Sequence, residues 1–320
     1  MARNKINLKM QCMQKLDSLA AFGQKKNDKD VDRSDPNFNC NRSQKIHSYS
    51  TMKTYKDSAS VFCDWMKDHH PEVKKIEQIE TAHVKEYVES RSAGGYSNYT
   101  LSKDVSCLNK VCNNESRDFW RLSDFGNYKR TEEINNRGIR CDNHTDHYER
   151  NQSAILMASA FGIRRSSTES ATVDQLIYKD NKIVGIEIQE KGGRWRCAPL
   201  LEQYSDKVNS YFQDRISQYG EHCRICDSAD SNTNLHAYRN EYSVNLYREL
   251  SEARADGRDY YDGMRSTFIN EDALSKACSH PRYCNEYVKN YHTETLGLVS
   301  QALGHNRISV VLNHYLREDE

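Results

Sequence analysis

The sequence predicts a mainly α protein with one small antiparallel sheet, an α+β fold, and three observations carry that prediction. Apolar residues recur at spacings of three and four along most of the chain, which is the period of a half-buried helix. Clean alternation of apolar and polar residues is confined to one place, on either side of Gly192-Gly193. The 320 residues include only 4 Pro, so helices are rarely interrupted. With 37% hydrophobic and 29% charged residues the composition is that of a globular chain, not a disordered one. At ~100–200 residues per domain there is room for about two domains.

In order along the chain, residues 1–44 are polar and basic. They hold a possible helix over residues 8–22 and then a charge run over 25–35, read as a solvated N-terminal arm. Met52, Tyr55, Ala59, Phe62, Trp65 and Met66 fall on one face of a helix spanning about residues 49–70. Ile79, Val84, Tyr87 and Val88 give a second helix with Thr81 as its N-cap. Gly94-Gly95 breaks the chain, and Leu101, Val105, Leu108 and Val111 give a third helix. Residues 45–122 therefore read as a small helical domain and 123–147, polar and without period, as a linker.

The second domain, residues 148–320, opens on a helix over 151–161. The runs KIVGIEIQE and RWRCAPL around Gly192-Gly193 form a hairpin. Helical periods return at Val208 to Phe212, Tyr242 to Leu250, Leu296 to Leu303 and Ile308 to Leu312.

Charge and cysteine content narrow the classes of function. Lys+Arg and Asp+Glu both total 46, which excludes a uniformly basic coat but not a local groove. Residues 1–130 hold 23 basic against 17 acidic residues, and the remainder holds 23 against 29. The basic first part, with Lys45, Lys53, Lys56, Arg91, Lys103 and Lys110, is the half expected to track phosphates. No apolar run reaches the ~18 residues of a membrane span, and the N-terminus lacks the apolar core of a secretory signal. A cytoplasmic location is expected. Eleven cysteines without framework spacing read as free thiols. Cys223, Cys226, Cys278 and Cys284, with His222 and His280, lack the spacing of a usual zinc site, and no metal or cofactor is expected.

The chemistry lies in an ordered series in the second domain: GIRRSSTESATVDQL, EKGGRWRCAPL, HAYRNEYS and ALGHNRISVVLNHY. Together these deliver two arginines, a lysine, two histidines and a tyrosine, the set needed for attack of a phenol on a phosphodiester. Guanidinium forks grip non-bridging oxygens, and donors preorganised for the developing charge give the largest rate term. The phenol conserves the bond as a covalent ester. A lysine protonates the leaving oxygen, and histidines donate or accept protons. The stripe Met52, Tyr55, Phe62, Trp65 is expected to be core.

This series resembles the catalytic domain of the tyrosine recombinases, the phage-integrase family. The stretch from Gly162 to Leu176 is similar, without a gap, to the family's first box and puts the first catalytic arginine at Arg164, with Arg165 its neighbour. The resemblance makes Lys191 the hairpin lysine, followed by Pro199-Leu200, and His236 and Arg239 the HxxR box. It makes His305 the second histidine and Tyr315, ten residues on, the nucleophile. Residues 50–69 resemble the first helix of the family's core-binding domain. The resemblance implies a core-binding (SAM-like) domain and a catalytic domain forming a C-shaped clamp on double-stranded DNA. It implies dimers on each site, a tetramer that exchanges strands through a Holliday junction by 3′-phosphotyrosine links, and accessory factors that bend DNA or set direction.

An integrase or transposase of a mobile element is the specific expectation. The alternatives are a DNA-relaxing enzyme of the type IB topoisomerase kind and an inactive DNA-binding relative. Three departures from the family pattern stand out. Ser167 occupies the place of an acidic residue, with Glu169 nearby; an insertion covers about residues 252–291; and only five residues follow Tyr315.

Overall fold

The computed structural model describes residues 6–24, 45–112, 120–128, 148–190, 194–305 and 307–316. The chain divides into two compact units, residues 1–134 and 135–320. Among the described residues secondary structure is mainly helical with two small antiparallel sheets. Among the described residues no helix is long and apolar enough to cross a membrane.

Among its described residues the first unit packs four α-helices: α1 (Leu8–Ser18), α2 (Tyr49–His69), α3 (Thr81–Ala93) and α4 (Asn98–Cys112). Asn7 caps α1 and Ser48 caps α2, each side chain accepting an orphan backbone N–H. Met52, Ala59, Phe62 and Met66 of α2 are buried, and Tyr55 and Trp65 pack at the edge of the same core. Helix α1 falls inside the segment read as an arm, yet Cys12 and Leu16 are fully buried against α2 and α4. That corrects the arm reading for these residues; the charge run over 25–35 lies outside the described residues. The N-cap of α3 is Glu80 rather than Thr81, whose hydroxyl instead accepts from the Trp120 indole at 3.1 Å. Phe125 is also buried in this core, so the unit extends past residue 122. Most of the assigned linker lies outside the described residues.

The second unit begins with α5 (Tyr148–Phe161) and the short α6 (Arg165–Thr168). Strands β1 (Leu176–Lys179), β2 (Lys182–Glu190) and β3 (Arg194–Pro199) form a sheet in the order β1-β2-β3. The β2–β3 hairpin matches the sequence reading. Strand β1 is an addition: Asp180 and Asn181 both adopt left-handed φ, 48° and 61°, in the two-residue turn that joins it to β2.

Helices α7 (Ser205–Tyr219) and α8 (Leu235–Ala255) follow. Beyond them lie α9 (Arg265–Phe268), α10 (Glu271–Cys278) and a small hairpin of β4 (Tyr287–Val288) and β5 (Tyr291–His292). The last described elements are α11 (Thr293–Ala302) and α12 (Ile308–His314).

The insertion expected over 252–291 is not a free appendage. It supplies the last turn of α8, α9, α10 and β4, and it folds back onto the unit. Phe268 lies so close to β2 that a Cβ on Gly185 would sit 2.4 Å from its ring. Asn270 and Gln301 exchange hydrogen bonds at 2.9 and 3.0 Å, fastening the loop before α10 to α11. The four cysteines considered as ligands are distributed: Cys226 is buried with α5 and the sheet, whereas Cys278 packs among α10 and α11.

Candidate active site

Two turns and one helix build the site. The first turn closes α5. Gly162 takes φ +59°, and a Cβ there would lie 2.2 Å from the Tyr242 ring, so only glycine lets the chain turn tightly over α8 into Arg164. The second turn closes α11. The Gly304 amide donates to the Gln301 carbonyl at 2.7 Å and the His305 amide to the Ser300 carbonyl at 2.8 Å. With Gly304 at φ +70°, this is the Schellman pattern of helix ends. The Leu-Gly-His triplet is thus a helix terminator that delivers an imidazole. The helix is α8, capped by Asn234, whose first turns carry His236 and Arg239 three residues apart on one face.

These elements, with the end of α12, bring five of the six expected residues together. Arg239 is fully buried. Its guanidinium donates through Nη1 to the Gly162 carbonyl, through Nη2 to the Leu303 carbonyl at 2.5 Å, and through Nε to the Tyr315 hydroxyl at 3.4 Å. Arg164 donates to the same Leu303 carbonyl at 3.5 Å. His305 Nε2 lies 3.2 Å from the Tyr315 hydroxyl. The His236 and His305 rings flank the Tyr315 ring at centroid distances of 5.9 and 5.7 Å. Tyr315 itself caps the C-terminus of α12 and is buried. Lys191, the sixth, lies outside the described residues.

The neighbours of Arg164 are resolved by their contacts. Arg165 turns to the carbonyls of Ala229 and Thr233, at 3.1 and 2.5 Å, and so braces the segment leading into α8. Ser167 is buried with no hydrogen-bond partner for its hydroxyl among the described residues, and Glu169 is exposed, so neither supplies an acidic buttress.

Sequence reasoning passed over Arg196, which β3 places inside the site. It donates to the carbonyls of Ala302 and, at 3.2 Å, Gly162. Only the strand's parity reveals it: in β3 the exposed Trp195 alternates with the buried Arg196 and Ala198, so the arginine faces inward.

Three guanidiniums in one buried place repel one another. Burial, then Arg239 and Arg196, push Arg164 down to about 10; burial and Arg239 push Arg196 down to about 9. Burial, reinforced by Arg239, Arg164 and Arg196, drives His305 down to about 3. The imidazole beside the phenol is therefore neutral at physiological pH. Such a cluster favours an anion with several oxygens, and a phosphodiester offers that.

Residues 41–113 match the family model described as the phage integrase N-terminal SAM-like domain. The chain resembles the tyrosine recombinases. Similar solved structures include the XerH site-specific recombinase bound to a palindromic difH substrate, a post-cleavage complex. It is 15% identical, with 71% of this chain and 79% of that one covered and a TM-score of 0.39. The Tn1549 transposon integrase in complex with circular intermediate DNA is 14% identical, covering 85% of this chain and 91% of that one, with a TM-score of 0.41. The XerA recombinase is 12% identical, covering 85% and 89%, with a TM-score of 0.32. No curated protein matches the chain.

Proposed function

We propose that the chain is a site-specific tyrosine recombinase that cuts and rejoins duplex DNA, serving a mobile element as its integrase or transposase. One observation carries the reading. The Tyr315 hydroxyl receives the Arg239 Nε–H at 3.4 Å and meets His305 Nε2 at 3.2 Å, while Arg164 and Arg239 converge on a single carbonyl beside it. A nucleophile, a neutral base and two oxyanion donors therefore share one place.

In the proposed step, the Tyr315 oxygen forms a bond to phosphorus as the bond from phosphorus to the 5′ oxygen breaks. The phenol proton passes to His305, whose affinity for it rises once the anionic phosphodiester offsets the surrounding guanidiniums. The leaving oxygen is protonated by Lys191, and a 3′-phosphotyrosine and a free 5′ hydroxyl result. Attack by the 5′ hydroxyl of another strand reverses the chemistry and exchanges strands, so two rounds pass through a Holliday junction. Arg164, Arg239 and His236 hold the non-bridging oxygens as charge develops. The SAM-like domain grips the duplex through its phosphates, and protomers assemble as dimers on each site and tetramers across two.

A nicked suicide substrate tests the reading. Wild type is expected to yield a covalent protein–DNA adduct and Tyr315→Phe none. Arg164→Ala and Arg239→Ala are expected to bind DNA but cleave it slower by at least ~10²–10³-fold. An adduct that persists in Tyr315→Phe would move the nucleophile elsewhere.

A further inference from the structure

Arg196 stands outside the set of residues that the sequence marks for the chemistry, yet it is nearly as enclosed as Arg239. The register of the sheet explains why. Arg196 pairs with Ile188 and Ala198 with Ile186, and these partners are buried. A guanidinium on the core face of a strand is costly unless its N–H groups are met. Here the two terminal nitrogens, though not Nε, meet main-chain oxygens of two different turns. Nη1 donates to the Ala302 carbonyl, three residues before His305, and Nη2 to the Gly162 carbonyl, two residues before Arg164. Arg239 donates to that same Gly162 carbonyl and to Leu303, next in chain after Ala302. Two planar forks thus span the same pair of turns, one from α8 and one from β3.

We infer that Arg196 is a positioning residue for the proposed strand-transfer reaction: its fork sets the spacing between the turn that carries Arg164 and the turn that carries His305. The inference rests on the reading of the site given above. Both turns are glycine-built, with Gly162 and Gly304 at left-handed φ, and Arg196 bridges them from outside either helix. Both of its terminal nitrogens face main-chain carbonyls, which is why it acts through the turns. A lysine carries its charge on a single nitrogen and does not reproduce a planar bridge between two acceptors. A shift of ~1 Å in the relative position of reacting groups costs on the order of 10²-fold in rate.

The test compares Arg196→Lys and Arg196→Met with wild type on the suicide substrate, in single turnover over a range of DNA concentrations. For Arg196→Lys the maximal cleavage rate is expected to fall by about 10–100-fold while the half-saturating DNA concentration stays within about twofold. A second readout needs no cleavage: the carbon-13 resonance of the Tyr315 ring carbon bearing the hydroxyl, assigned by its loss in Tyr315→Phe. It is expected to move in both variants, because His305 no longer meets the phenol at its wild-type spacing.

Wild-type cleavage by Arg196→Lys, or a loss confined to DNA affinity, would overturn the inference. If Arg196→Met fails to fold, the lysine variant carries the comparison. If wild type forms no adduct, it is the strand-transfer reading that fails, and an unmoved Tyr315 resonance in Arg196→Lys would then reject the bridge on its own.

Discussion

Gly162 and Gly95 both adopt left-handed φ, at +59° and +78°, but they meet different surroundings. A Cβ at Gly95 would meet nothing within 4 Å, whereas one at Gly162 would collide with the Tyr242 ring. Gly95→Ala is expected to cost about 1 kcal/mol, the backbone penalty alone. Gly162→Ala adds overpacking of a buried ring and is expected to cost about 3 kcal/mol or more. Urea unfolding of the two variants checks the difference.

His305 carries a pH dependence whose sign follows from its surroundings. The ordinary histidine value is 6.5 and the folded one is about 3, so between these the unfolded chain binds the proton that the folded one refuses. Stability from this group is fully present above pH 6.5 and is lost as pH falls towards 3. His305→Gln is therefore expected to flatten the decline of the urea midpoint between pH 6.5 and 4. A decline as steep as that of wild type would show that other groups set it.

At the scale of elements, legibility followed the strength of local signals. The long helices were readable because their apolar stripes persist over several turns: Met52, Ala59, Phe62 and Met66 mark α2 as plainly in the coordinates as in the sequence. Strand β1 was missed because its turn, Asp180-Asn181, lacks the glycine that usually announces a two-residue hairpin. Lys289-Asn290, at φ 49° and 66°, makes the β4–β5 turn without glycine too. Helix α1 was visible as a helix, but its fate was misjudged, since net basic composition says nothing about whether Leu8, Cys12 and Leu16 find a partner surface. The packed position makes a direct prediction. Leu16→Ala is expected to destabilise the full chain by about 2–5 kcal/mol, the cost of emptying a closed core site. A solvated arm would give essentially no change in the thermal midpoint.

Across the whole molecule the same distinction separates the candidate site from the basic first unit. The convergence of Arg164, His236, Arg239, His305 and Tyr315 was legible because the order and spacing of their motifs constrain one another. Arg196 was not, because its meaning depends on which face of β3 turns inward. The basic face of the first unit was legible only as a sum of charges. Within that sum Arg91 is already committed: its Nε lies 3.5 Å from the buried Asp104 carboxylate, and its guanidinium sits 3.3 Å from the centre of the Tyr96 ring. Lys56 is likewise paired with Asp17 at 2.6 Å, whereas Lys53 is exposed on α2.

The two kinds of cation should therefore fail differently. Arg91→Ala leaves the buried Asp104 carboxylate with Lys103 at 3.6 Å and the Tyr87 hydroxyl at 3.4 Å and is expected to cost about 1.5–3 kcal/mol of stability. Lys53→Gln is expected to leave the thermal midpoint unchanged. If Lys53 contacts a phosphate, as the proposed function requires of exposed cations on this face, its loss weakens DNA binding and lowers the slope of log K against log salt by about 0.9. Filter binding across a salt series, set beside thermal melts of both variants, separates the outcomes. An unchanged slope in Lys53→Gln would remove that lysine from the phosphate-tracking surface.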